Sequence, residues 1–537
     1  MQPSITVNNV FFSWPDGSEI WRDLNVNFNQ GRTGLVGDNG SGKSTLLRLI
    51  SGQLPPAQGE VVASGQMAYV PQVIEADPAA TVADLMGVRQ ALDAIMRLEA
   101  GDYQSELIDI IDDRWDLAGE VEQALARLRR VGGSLIDVDL DRPVGSLSGG
   151  EAMLLAITGA HLRAADITLL DEPTNNLDQP MREYLLNLID SWPGTLLLVS
   201  HDRALLDRMD QIAECFDGRI NLFGGNYEHY EAALAMQQAA AIQAVNQATG
   251  EVKRAKRDQQ AAAERQNRLL SRGKAKAIKE GLGRDVRHGM AQKAEKGAAR
   301  QGGDTGERVS AALAELDAAE QAVRGDEPIR IDLPDPGVPA GRRLLEISWP
   351  GGGYVLQGPI RLSVEGRNGA GKTTVLRRIV GLETVSSLLP DVRIRALIDR
   401  IGYLPQSLGF DGVESSALDL VGAAAPTVAT GEIRSQLARL HLRGDQALRP
   451  VASLSGGERF RVGLARLLLA DPPCQLLILD EPTNNLDRRS VRQLVEALAN
   501  YRGAMIVVSH DREFTDQLGM TDRLTIDGGQ LIVSAYD

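Results

Sequence analysis

Two glycine-rich stretches carry the residue types needed to hold a phosphate. G-D-N-G-S-G-K-S occupies residues 37–44, and G-R-N-G-A-G-K-T occupies residues 366–373. Glycines let successive backbone N–H groups curve around an anion, the lysine adds a positive charge at the outer phosphates, and the terminal hydroxyl can hold a magnesium ion. Phosphate binding in the first loop is thereby assigned to Gly37, Asn39, Gly40, Gly42, Lys43, Ser44 and Thr45. The second loop supplies Gly366, Asn368, Gly369, Gly371, Lys372, Thr373 and Thr374. Ser44 and Thr373 are the hydroxyls expected at the metal.

Two acidic pairs complete a hydrolytic set. Asp171 and Asp480 each end an apolar run that reads as a buried strand, where a carboxylate can reach a magnesium shell at the carboxyl edge of a sheet. Glu172 and Glu481 follow directly, placed to orient or deprotonate an attacking water. An acidic pair after a strand also reads as a helix N-cap with a first-turn charge. The octapeptide D-E-P-T-N-N-L-D at both positions argues against that reading. In L-S-G-G-E, found at residues 147–151 and 454–458, serine and glycines open a helix whose N-terminus suits an anion.

These motifs recur in order: phosphate loop, V-P-Q or L-P-Q, L-S-G-G-E, D-E-P-T-N-N-L-D and S-H-D. The spacing from Asp178 to His201 equals that from Asp487 to His510, so the chain contains duplicated domains and not stacked short repeats. The apolar runs 167–170, 195–199, 476–479 and 505–508 predict buried parallel strands. Stretches 82–98, 105–112 and 117–128 have helical spacing, and a shorter counterpart lies between residues 406 and 455.

The ordered set resembles the ATP-binding-cassette superfamily over most of the chain. The resemblance implies an α/β fold with two nucleotide-binding domains, each a phosphate-loop sheet core plus an α-helical subdomain, joined by a long α-helical linker. The boundaries expected are 1–225, 226–340 and 341–537. The resemblance also implies ATP and Mg2+ as ligands and ATP hydrolysis as the reaction. It makes His201 and His510 switch residues that contact the γ-phosphate, adds Gln72 and Gln406 to the nucleotide and metal sites, and makes Trp14 the adenine-stacking aromatic. Around Trp349 and Tyr354 the second copy is too glycine-rich to align. Glu365 and Arg367 also depart from the superfamily pattern. In cassette proteins the signature of one half faces the nucleotide of the other. Ser455, Gly456 and Gly457 would then complete the Lys43 site, and Ser148, Gly149 and Gly150 the Lys372 site. With both halves in one chain, closure is intramolecular and a monomer suffices.

The connector has a different character. Residues 251–300 hold 15 Lys or Arg against 6 Asp or Glu, within a chain of net charge −15. Glycines at 281, 283, 289, 302 and 303 predict two helices around a turn region, the first of about 40 residues and roughly 60 Å. Tandem cassettes, the entrance G-G-N-Y-E-H-Y and a basic helical linker resemble the ABC-F family of ribosome-associated translation factors, some of which confer antibiotic resistance. That resemblance implies the ribosome as partner, with large-subunit rRNA and peptidyl-site tRNA reached by the linker. Basic side chains suit such a phosphate-rich target, and Arg268, Arg272, Lys274, Lys276, Lys279, Arg284 and Arg287 are the expected contacts.

The alternative is the ATPase subunit of a transporter with a separate membrane partner, which has no need of a basic insertion. The most apolar candidate span, residues 464–479, is broken by Arg466 and Asp471, so no membrane insertion is expected. The opening residues lack the basic and apolar regions of a secretory signal, and the expected location is cytoplasmic. Cys215 and Cys474 lack the spacing of a metal or iron–sulfur cluster.

Overall fold

The computed structural model describes residues 4–536 except 16, 76, 113, 133–134, 136, 176, 280–305, 321–332, 384–388, 407–408, 411–412, 441, 443, 455, 485 and 487. Ser455, Arg284 and Arg287 therefore lie outside the described residues. By packing, the chain forms two units: residues 1–227 with 328–537, and residues 228–327.

In the larger unit each copy contains a six-stranded sheet and a three-stranded antiparallel sheet. The strands Ile167–Asp171, Thr195–Val199, Leu476–Asp480 and Ala504–Val508 are buried at every residue, as continuous apolar sequence requires when both faces of a parallel sheet are covered. The first large sheet runs Met67–Val70, Ile167–Asp171, Thr195–Val199, Gly31–Gly37, Gln211–Phe216 and Arg219–Gly224, with only the last pair antiparallel. The second repeats this order from Ile401–Leu404 through Leu476–Asp480, Ala504–Val508, Arg361–Gly366 and Asp522–Asp527 to Gln530–Ala535. Both phosphate-loop strands are thus interior. Their carboxyl ends open toward the helices Lys43–Ile50 and Lys372–Ile379.

The helical layer of the first copy comprises Val82–Met86, Arg89–Glu99, Ser105–Ile111 and Leu117–Val131. The single helical stretch expected at 82–98 is two helices, because Gly87 terminates the first in the left-handed region at φ 68°. Helix Gly149–Arg163, which begins at the signature, crosses the short helix at Gly159. A Cβ there would lie 2.2 Å from the Met86 carbonyl oxygen and 2.4 Å from its Cα. Gly159→Ala should therefore destabilise the protein by about 3 kcal/mol through overpacking against backbone, read as a lower midpoint in thermal unfolding. Gly422→Ala is the control, since its nearest neighbour is 3.9 Å away.

The smaller unit contains helix Tyr227–Lys279 beyond its first residue and a second helix over residues 306–320. The first helix has 53 residues, not about 40, and spans roughly 80 Å. Gly250 and Gly273 lie within it, each at a cost of about 1 kcal/mol that the surrounding Ala, Gln, Lys and Arg absorb. Arg268 and Arg272 are exposed on this helix, and Lys274, Lys276 and Lys279 occupy its last turns. Among the described residues no helix is long and apolar enough to cross a membrane.

Candidate active sites

Each phosphate-loop helix starts at a glycine in the left-handed region, Gly42 at φ 96° and Gly371 at φ 98°, with no side chain capping the first turn. Its free N–H groups and positive dipole end suit an anion. Lys43 and Lys372 are buried and curl back onto their own loops, donating to the Gly37 and Gly366 carbonyls at 2.7 Å each. Ser44 Oγ donates to Asp171 Oδ1 at 3.1 Å, and Thr373 Oγ1 to Asp480 Oδ1 at 3.3 Å. Hydroxyl and carboxylate oxygens held together in this way are the hard donor set Mg2+ prefers. Burial raises both aspartates above their ordinary pKa.

Glu172 and Glu481 share a feature that the sequence does not disclose. Both stand at φ 47°, a conformation rare for a non-glycine residue. Their N–H groups extend the sheet ladder, to Val199 O at 2.9 Å and Val508 O at 2.8 Å, while the backbone turns out of the strand. Strain at the same position of two copies marks a site where side-chain placement outweighs backbone comfort. Burial pushes both carboxyls up to about 7, opposed mainly by Lys43 and Lys372 respectively.

The histidines of the two S-H-D motifs reach these glutamates: His201 Nε2 lies 3.4 Å from Glu172 Oε1, and His510 Nε2 lies 3.2 Å from Glu481 Oε1. His510 also sits 3.1 Å from Lys372 Nζ. Burial, then Lys372 and Arg182, lower its pKa to about 3, which disfavours the imidazolium beside Lys372. A cavity of about 330 Å³ opens beside Lys372, lined among others by Asn368, Thr373, Gln406, Glu481 and His510.

The two cassettes touch across these sites. Asp178 Oδ2 accepts from Asn368 N at 3.4 Å, so the end of the first D-E-P-T-N-N-L-D reaches the second phosphate loop. Arg367 donates to the Val131 carbonyl at 2.7 Å and lies 4.0 Å from Asp178, while Arg489 lies 3.5 Å from Asp38 in the first loop. The unusual Arg367 is therefore an interface residue, and Glu365 is bound by Arg523 at 3.1 Å. Ser148 caps the signature helix, its Oγ accepting from Glu151 N while Glu151 receives the Ser148 N–H at 2.7 Å. Gly149 and Gly150 form that helix's first turn, as Gly456 and Gly457 do in the second copy.

Trp14 stands at the turn after strand Ile5–Ser13, packed edge-on to Phe12 with ring centroids 5.1 Å apart. Trp349 ends the corresponding strand Arg343–Trp349, opposite Gly352, and so takes the matching place in a tighter hairpin. Gln72 and Gln406 are exposed just beyond the strands Met67–Val70 and Ile401–Leu404. Sequence reasoning missed Asp178 and Arg182 as interface residues. The duplicated octapeptide was a signal for the first; for Arg182 there was none, since its counterpart is Val491.

Sheet order, phosphate loops and strand-end carboxylates define an ATP-binding-cassette protein. The ABC transporter family model matches residues 21–175 and 358–484, and cassettes of this kind hydrolyse ATP. The chain is 32% identical over 511 residues to the tylosin resistance ATP-binding protein TlrC of Streptomyces fradiae, covering 90% of each protein. It is 31% identical over 534 residues to the energy-dependent translational throttle protein EttA of Mycobacterium tuberculosis, covering 93% of this chain and 87% of that one. An archaeal ribosome recycling factor shares the fold, with a TM-score of 0.54 at 19% identity over 96% of this chain and 87% of the other. The chain belongs to the ABC-F family of tandem-cassette ATPases.

Proposed function

We propose that this ATPase acts on the ribosome in the cytoplasm, as a monomer, closing its two cassettes on two ATP molecules while the linker reaches large-subunit rRNA and peptidyl-site tRNA. The observation that carries the reading is the pairing of two mutually contacting cassettes with an 80 Å class helix ending in Arg268, Arg272, Lys274, Lys276 and Lys279. The names of the two relatives, one a resistance protein and one a translational throttle, support the same setting. A role in antibiotic resistance is the narrower form of the proposal, tested by expression in a susceptible host against a panel of large-subunit antibiotics. The domain limits 1–225, 226–340 and 341–537 belong to this reading.

In each site Lys43 or Lys372 leaves its own loop carbonyl to bind the outer phosphates. Asp171 with Ser44 and Gln72, and Asp480 with Thr373 and Gln406, would hold Mg2+, which neutralises charge on the phosphate oxygens. Glu172 and Glu481 orient the water, and His201 and His510 bridge each glutamate to the γ-phosphate. The signature glycines and serine of the opposite half close the site.

Sedimentation with ribosomes in a non-hydrolysable ATP analogue tests the proposal, because a transport subunit stays in the supernatant. Replacing Arg272, Lys274, Lys276 and Lys279 with Ala should weaken binding and flatten its salt dependence by up to about 3.6 log units per log unit of salt if each meets a duplex phosphate. Basal ATPase should be unchanged. An unaltered slope would make the basic segment a solvated spacer.

A further inference from the structure

Beside a longer, exposed ion pair of Arg203 with Glu513 at 3.7 Å, the half-buried Arg182 joins the two switch loops. Arg182 projects from the first turn of helix Gln179–Asp190, whose N-cap is Asp178. Its Nε and Nη2 both donate to Asp202 Oδ2, at 3.0 and 2.5 Å, and its Nη1 donates to the His510 carbonyl at 2.8 Å. Asp202 follows His201, caps helix Arg203–Leu206 and has only 5% of its side chain exposed. On the far side, the His510 N–H donates to Glu481 Oε2 at 3.3 Å, and the imidazole meets both Glu481 and Lys372. A continuous hydrogen-bonded path thus runs from the loop of one histidine to the catalytic glutamate of the other site.

The duplication does not repeat this path. Val491 holds the position of Arg182 in the second copy, and an isopropyl group cannot donate to the His201 carbonyl or to Asp511. We propose that Arg182 is a positioning residue that couples the two switch loops through this tie, setting the His510 backbone and hence the hydrolytic rate of the second site. In binding free energy the coupling is reciprocal; in rate it need not be. The tie grips the second site at the backbone of the histidine itself. It grips the first one residue away, at a side chain already held by its own helix. The kinetic effect therefore falls mainly on the site containing Lys372 and Glu481.

The test measures ATP turnover of each site alone, in Glu172→Gln and Glu481→Gln backgrounds that have first been shown, by themselves, to silence their own sites. If those backgrounds retain full activity, the assignment of the glutamates fails and the Arg182 comparison is made instead on total turnover. Arg182→Met should lower kcat of the second site by about tenfold, as loss of a charge-assisted hydrogen bond allows, with KM little changed. The first site should change by less than about twofold. Arg182→Lys keeps a charge beside Asp202 without the planar fork and should fall between the two, guarding against misfolding of the Met variant. Asp202→Asn, although in the first cassette, should slow the second site, and adding Arg182→Met should slow it little further because both act on one path. Equal losses at both sites, additive losses in the double variant, or an effect confined to KM would overturn the proposal.

Discussion

Replacing Glu172 and Glu481 together with Gln is expected to reduce ATP turnover by about 10²- to 10⁴-fold, the contribution typical of general base catalysis, while ATP still binds. Glutamine keeps the volume and one acceptor oxygen, so the contacts that place His201 and His510 within 3.4 Å and 3.2 Å of these side chains have a partner in the variant. What is lost is basicity. The lysines assigned to the phosphates keep their hydrogen bonds in the variant, since among the described residues Lys43 and Lys372 bond to loop carbonyls and to His510, not to the glutamates. Phosphate release under multiple turnover, beside equilibrium binding of labelled ATP, separates the two effects. If the proposed action on the ribosome holds, the variant, closed and unable to reset, should inhibit translation. Hydrolysis at the wild-type rate would remove both residues from the role given them.

Ser148→Arg should produce the second largest effect, and at the site that does not belong to its own cassette. Loss of the capping box costs about 1 kcal/mol of local stability wherever the helix is used. The larger consequence is geometric: with head-to-tail pairing the guanidinium occupies the space of the γ-phosphate held by Lys372. Hydrolysis there should fall by about 10²-fold or more, as when an oxyanion donor is removed, while the Lys43 site retains most of its rate. The cross-cassette contacts of Asp178 with Asn368 and of Arg182 with His510 motivate this assignment. Turnover of Ser148→Arg in the Glu172→Gln and Glu481→Gln backgrounds decides it, equal residual rates counting against the pairing.

The parts of the site that were legible in sequence are those whose chemistry depends on a short contiguous pattern. Lys43 with Ser44 and Asp171 with Glu172 are each neighbours along the chain, and the fold brings the two pairs together because apolar strands end where the motifs begin. Strand identity was equally legible, since runs such as 167–170 cannot be covered on one face only. What was hidden depends on distance. Arg182 meets His510 across 328 positions, and no local pattern announces it. The left-handed backbone of Glu172 and Glu481 was hidden for another reason: nothing in the residue type favours it, and only the surrounding sheet enforces it. The helix Tyr227–Lys279 exceeded expectation because isolated glycines weaken a long helix without breaking it.

The charges at the second position of the two phosphate loops bear on which halves pair. Asp38 faces Arg489, whereas Arg367 faces Asp178. Two copies of the first half, paired in the same way, would bring Asp38 toward Asp178; two copies of the second would bring Arg367 toward Arg489. The first arrangement sets two carboxylates together at the mouth of a site; in the second, the residue at the place of Asp178 is Asp487, an opposite charge for Arg367. The second position of the phosphate loop is thus acidic in one half and basic in the other, while the octapeptide is the same in both. Pairing of two first halves would replace the Arg367–Asp178 contact with two facing carboxylates, so the charge pattern favours the mixed pair over that homodimer by the modest margin of a partly exposed charge pair.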